Sequence, residues 1–186
     1  MPDELHYWIN HSYRIMKVGG AWDEFARAND GLAAIAENVT GTSLMQHIAD
    51  PATRDYVQMV CRSAQLHSRP LVLVYRCDSP FLKRYMRMTV RREGSDCLLL
   101  SHRLLRSVPQ SPPQTFRAVA QERAAFAVRC SICGRLKCGD NWEESAGAFK
   151  ASATRGDGAV PVIYGVCSAC LAHLRQRQRR PLDVSH

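Results

Sequence analysis

Two Cys-x-x-Cys pairs, Cys130-Ser131-Ile132-Cys133 and Cys167-Ser168-Ala169-Cys170, limit what this chain can fold into more than any other feature. Each pair sets two sulfurs on one side of a tight knuckle, and two knuckles supply the four thiolates that suit tetrahedral zinc. The first knuckle continues into Gly134, which lets the backbone turn so that its amides face the sulfurs. The intervening 33 residues, Gly134 to Val166, form a longer loop than the commonest zinc spacing and leave room for a helix or hairpin.

Other uses of the thiols fit less well. The start, Met1-Pro2-Asp3-Glu4-Leu5, lacks the basic and apolar regions of a secretory signal. Eight cysteines without such a signal point to a reducing, cytoplasmic setting and to metal or redox use rather than a disulfide framework. Leu171 after the second pair excludes covalent haem c, which needs histidine there. Iron in a rubredoxin-like site or an iron–sulfur cluster would use the same four thiolates, so zinc rests on its frequency alone. Cys138, five residues after Cys133, reads as a spare thiol because four ligands already close such a site.

The length allows one large domain or two small ones. Ser107-Val108-Pro109-Gln110-Ser111-Pro112-Pro113-Gln114 carries three prolines and reads as an extended linker over 107–116, with a first domain at 5–106 and a second at 117–180. The net charge of +8 is concentrated in the second part, which ends in Arg175, Arg177, Arg179 and Arg180. No apolar run approaches the roughly 20 residues that span a bilayer, so no membrane role is expected.

Within the first part, Tyr7–Asn10 and Arg14–Val18 read as short strands. Helical stretches follow at Ala21–Ala28, at Ser43–Ile48 and after the Asp50-Pro51 cap. Three strand candidates close the region: Leu71–Cys77, Arg84–Arg92 and Cys97–Leu105. In the middle one, Met86, Met88 and Val90 alternate with Tyr85, Arg87, Thr89 and Arg91, which implies a sheet with one buried and one wet face. Ala118–Val128 has helical character and reads as a connecting helix.

This order of elements resembles a PAS sensory domain. Arg14-Ile15-Met16-Lys17-Val18-Gly19-Gly20-Ala21-Trp22-Asp23-Glu24-Phe25-Ala26-Arg27-Ala28-Asn29-Asp30 looks like the entry of that family, and Val39-Thr40-Gly41-Thr42-Ser43-Leu44 like its approach to the middle helices. Arg76-Cys77-Asp78-Ser79-Pro80 is similar to a turn of one bacterial subgroup. Cys130, Ser131, Cys133, Arg135, Trp142, Gly165, Cys167, Cys170 and Leu171 resemble a small zinc-ribbon-like extension appended to bacterial signalling proteins, with Tyr164 where that extension often has histidine. The resemblance implies an α+β fold: a PAS-like antiparallel sheet with helices on one face, followed by a small four-cysteine metal module.

It also implies a ligand pocket between sheet and helices. Trp22, Phe25, Val57, Cys61, Leu73, Tyr75, Met86, Met88 and Leu99 are the candidate lining, and the same apolar stripes also suit plain core packing. The ligand is not specified. Light-sensing flavin chemistry is disfavoured by the lack of an Asn-Cys-Arg-type motif, and haem would have to use His67 or His47.

No nucleophile–base pair, phosphate loop or kinase signature occurs, so the expectation is a non-catalytic sensory or adaptor protein. It would act through protein contacts, as a homodimer and with a separate effector. An alternative is a zinc-dependent nucleic-acid-binding transcriptional regulator, with Arg175, Arg177, Arg179 and Arg180 on phosphates or on an acidic partner. A second alternative is a haem or iron–sulfur sensor of redox state or gas.

Overall fold

The computed structural model describes residues 4–29, 31–119, 127–144 and 159–179. The chain opens with β1 (Glu4–Asn10) and β2 (Ile15–Gly20), then α1 (Trp22–Ala28), a 3₁₀ turn at Leu32–Ala34, α2 (Ala36–Val39) and a 3₁₀ turn at Leu44–His47. The long helix α3 (Pro51–Leu66) starts where local chemistry dictates. Asp50 accepts from the Thr53 amide at 2.7 Å, and Pro51 occupies the first turn, where its missing N–H costs nothing. Strands β3 (Leu71–Arg76), β4 (Leu82–Glu93) and β5 (Cys97–Pro109) follow.

These strands form one five-stranded sheet in the order β2-β1-β5-β4-β3, with every pairing antiparallel. Met86, Met88 and Val90 are buried, while Arg87 and Arg91 are exposed, so the alternation along β4 is realised. The inner face meets α3 in a core that includes Ile9, Val60, Cys61, Val90, Leu98 and Leu100. The outer face carries Trp8 with the Lys17 ammonium over its ring, 3.9 Å from the centroid.

A second sheet is built from β6 (Thr115–Ala118), β7 (Ala127–Cys130), β8 (Leu136–Cys138), β9 (Asn141–Glu143) and β10 (Ala159–Gly165). Its order is β6-β10-β7-β8-β9, and β10 runs parallel to both β6 and β7. Leu136, Val160 and Val162 form its small core, with Phe116, Ala127 and Tyr164 against it. The final helix, α4 (Ser168–Arg179), packs back onto the first core, where Leu174 is fully buried.

Two sequence expectations change here. Residues 107–109 are not linker: Ser107, Val108 and Pro109 pair with Arg84, Lys83 and Leu82, which leaves only 110–114 outside strands before β6. Proline at the last position of a ladder removes no bond that another strand must satisfy. Of the expected helix over Ala118–Val128, residues 120–126 lie outside the described ones; Ala118 closes β6, and Ala127 and Val128 begin β7. No described helix is long and apolar enough to cross a membrane.

Candidate metal centre

Strand β7 delivers Cys130, a turn carries Cys133, and the entry to α4 places Cys167 and Cys170 one helical turn apart. The four Sγ atoms all lie within 4.8 Å of one another. Cys130 and Cys170 are 3.9 Å apart and Cys133 and Cys167 3.8 Å apart. A tetrahedron with metal–sulfur bonds of about 2.3 Å has edges of about 3.8 Å, so all four can bind one metal ion such as zinc.

Backbone amides complete the surroundings. The Cys167 amide points at Cys130 Sγ and the Cys170 amide at Cys167 Sγ, both at 3.4 Å. Such N–H groups spread the negative charge that thiolates bring. The turn closes because the Gly134 amide donates to the Cys130 carbonyl at 2.9 Å and the Cys130 amide to the Arg135 carbonyl at 2.8 Å. Gly134 adopts φ +72°, and a Cβ there would stand 3.2 Å from the guanidinium groups of both Arg76 and Arg129. Backbone conformation and close approach therefore both call for glycine.

Four adjacent thiols cannot all ionise without a cation among them. Hydrogen bonds with Cys133 and Cys170 pull the Cys130 thiol far below its ordinary value, against its burial, while the bond with Cys130 pushes Cys133 up to about 11. Cys170 is likewise pushed up, first by Cys130 and then by Cys133. A divalent ion removes this competition for protons. Tyr56 lies beside the group; burial raises its hydroxyl, and the charges of Cys170, Cys130 and Cys167 act in the same direction. Cys138, on β8 opposite Asn141, is outside the cluster of four.

The knuckle is fastened to the first sheet. The Arg76 amide donates to the Ile132 carbonyl, and Arg76 Nη1 lies 3.4 Å from the Cys133 carbonyl. Asp78 takes the Arg76 guanidinium on both carboxylate oxygens, at 2.9 and 2.6 Å, and receives Arg129 of β7 at 2.6 Å. Glu144 adds a contact to Arg76 at 3.0 Å and to Lys83 at 3.2 Å. Burial alone would lower the Arg76 guanidinium, but its bonds and charge contacts with Asp78 and Glu144 hold it above its ordinary value. Thr53 Oγ1 of α3 and Ser131 Oγ of the knuckle are 2.7 Å apart. None of these partners was legible as a site, since Asp78 and Arg129 are 51 positions apart.

The residues read as a ligand pocket divide. Phe25 and Met86 wall a cleft of about 610 Å³ between α1 and the sheet; Trp22, Phe25 and Tyr75 border an adjoining one of about 300 Å³. Cys61, Leu73 and Met88 are core, and Val57 packs against it. Leu99 is not part of this face. Leu98 and Leu100 face the core, so Leu99 between them stands on the opposite side, paired with Trp8 and Arg91. The residue on the inner parity is His102, which borders both clefts. The alternation of β5 read two residues further would have found it.

Neither histidine considered for haem reaches this space. His47 is exposed with Nε2 2.7 Å from Thr42 Oγ1, and exposed His67 borders a separate cleft with Arg177. Arg175 and Arg177 are exposed on α4, whereas the Arg179 side chain and Arg180 lie outside the described residues.

No family model matches the chain, and no curated protein matches it either. Among solved structures, the chain is similar to a domain of an HTR-like protein from Haloarcula marismortui, at 14% identity and a TM-score of 0.37, over 55% of this chain and 98% of that one.

Proposed function

We propose that the chain is a non-catalytic sensory or adaptor protein in which a PAS-type domain is joined to a structural zinc module. The observation that carries this reading is the four-sulfur cluster, whose spacing suits zinc and whose knuckle is hydrogen-bonded to the edge strand of the first sheet. Four thiolates fill a tetrahedral ion, so no position is left for substrate and the metal is a staple rather than a catalyst. The PAS assignment is supported by the element order that the resemblance calls for: two strands, short helices and one long helix, then three strands, all in one antiparallel sheet.

The signal leaves through protein contacts, in a homodimer and with a separate effector. The outer face of the sheet supports this: Arg87, Arg91 and Arg103 are exposed there, with Val74 beside them at 53% exposure. Such a face suits an acidic partner with an apolar centre.

Elemental analysis and an ultraviolet–visible spectrum of protein purified without added metal test the reading. One zinc per chain and no visible band are expected, with zinc lost in Cys130→Ala and Cys170→Ala. Iron with bands near 400 nm would replace it with haem or iron–sulfur sensing.

A further inference from the structure

We propose that the cleft between α1 and the first sheet binds an elongated apolar monocarboxylate, with its carboxylate on Arg84 and a carbonyl oxygen near its far end on His102. The cleft holds about 610 Å³ and is walled by Phe25, Leu82, Met86 and Leu104. That volume and lining suit a small organic molecule. Two buried nitrogens in the same lining have no hydrogen-bond partner among the described residues: Arg84 Nε and His102 Nε2. A buried donor left without a partner is costly, and a site that binds an acceptor there removes the cost.

Arg84 Nε is a donor, and His102 Nε2 is one in the tautomer whose Nδ1 accepts from Tyr75. Arg84 donates Nη2 to Asn29 at 2.7 Å, its guanidinium lies over the Phe25 ring 5.6 Å from the centroid, and it forms no ion pair among the described residues. His102 Nδ1 is 2.9 Å from the Tyr75 hydroxyl. With that hydroxyl donating, Nδ1 accepts and the single proton of the neutral imidazole sits on Nε2. Burial favours the neutral ring, lowering His102 from 6.5 to about 4. With that hydroxyl donating, both unpartnered nitrogens are donors, and a ligand with oxygen at both ends serves them.

Strand geometry sets the length. Met88 is the partner of His102 on β5, and it lies four residues along β4 from Arg84, about 13 Å of strand. An extended chain with an oxygen at each end can span that spacing and meet both nitrogens. Glu24 is the acidic residue of the lining; it is exposed, so water screens it from the anion. This deepens the sensory reading by naming its input. Zinc content and partner binding test that reading and ligand heats test the cleft, so either can fail alone.

The test is calorimetric titration of the full chain with 9-oxodecanoate, decanoate and 2-decanone. Tightest binding is expected for 9-oxodecanoate, with 2-decanone, which lacks the carboxylate, at least about tenfold weaker. Arg84→Gln should lose about tenfold for both acids and leave 2-decanone unchanged. His102→Phe should abolish the preference for 9-oxodecanoate over decanoate. The comparison of ligands on the unaltered chain stands even if a variant fails to fold. Equal affinity for 9-oxodecanoate and 2-decanone, or no heat from any of the three at millimolar concentration, overturns the proposal. A haem absorption band that forms on the unaltered chain and is lost in His102→Phe also overturns it, because Nε2 would then be an iron ligand.

Discussion

The backbone amide of Arg76 donates to the carbonyl oxygen of Ile132 at 2.8 Å, so the edge strand of the first sheet ends on the first cysteine knuckle. An open edge is where a sheet would otherwise pair with another chain. Ile132, Val166, Leu171 and Leu174 also pack into the first core, which ties the metal centre to the body of the protein.

Removing the metal should therefore be felt beyond the cysteines. Zinc supplies on the order of 10 kcal/mol to modules of this kind. On chelation, hydrogen exchange is expected to accelerate in residues 127–144 and also in β3 and the first turns of α3. Protection that falls only in the cysteine region would show that the two parts are uncoupled.

Asp78 holds Arg76 and Arg129 together, and the Asp78 and Arg76 side chains are each only 4% exposed. Asp78→Ala takes from Arg129 its carboxylate partner and leaves Arg76 to the half-exposed Glu144, with two mostly buried cations side by side. A loss of about 3–5 kcal/mol is expected, read as a lower urea midpoint. A change under 1 kcal/mol would mean that solvent reaches the pair.

Leu174 is fully buried in the first core although it belongs to α4. Leu174→Ala should cost about 2–5 kcal/mol, through lost transfer energy and the cavity left behind. A single coincident unfolding transition in the parent chain, split into two by this substitution, would identify α4 as the link between the sheets.

Burial lowers His102 from 6.5 to about 4. The unfolded chain then binds a proton that the folded chain refuses, so this group's contribution is present above about pH 6.5 and lost as pH falls through about 4. Roughly 3 kcal/mol is at stake over that window. His102→Phe should flatten the pH dependence of stability there; an unaltered slope would assign it to other groups. Glu144, held down by Arg76 and Lys83 against its burial, loses its contribution only in more acidic solution.

The four-cysteine cluster was legible because its signal is local: each pair spans one turn, and only the approach of two turns had to be supplied by the fold. The buried face of β4 was legible from the period of two. The role of Leu99 was misread by one position, since Leu98, Leu99 and Leu100 are all apolar and give no parity on their own. The clamp around Asp78 was hidden because Arg76-Cys77-Asp78 reads as turn chemistry, while Arg129 arrives from β7 and Glu144 from the residue after β9. Prolines 109, 112 and 113 suggested a break, yet β4 extends β5 as far as Pro109. The parallel strand β10 had no local signature, for its partners β6 and β7 both precede it by more than 25 residues.

That parallel strand has a consequence for biosynthesis. Neither β6 nor β7 can pair with β10 until that strand is translated, and Cys167 follows Cys130 by 37 residues. At about 5–20 residues per second that is a wait of roughly 2–7 s. During it, the nascent chain carries half of the four-thiol cluster and a strand edge that awaits β10. The fourth thiol is made only after every strand of both sheets, so a metal ion held by all four cysteines can be enclosed only once the strands exist.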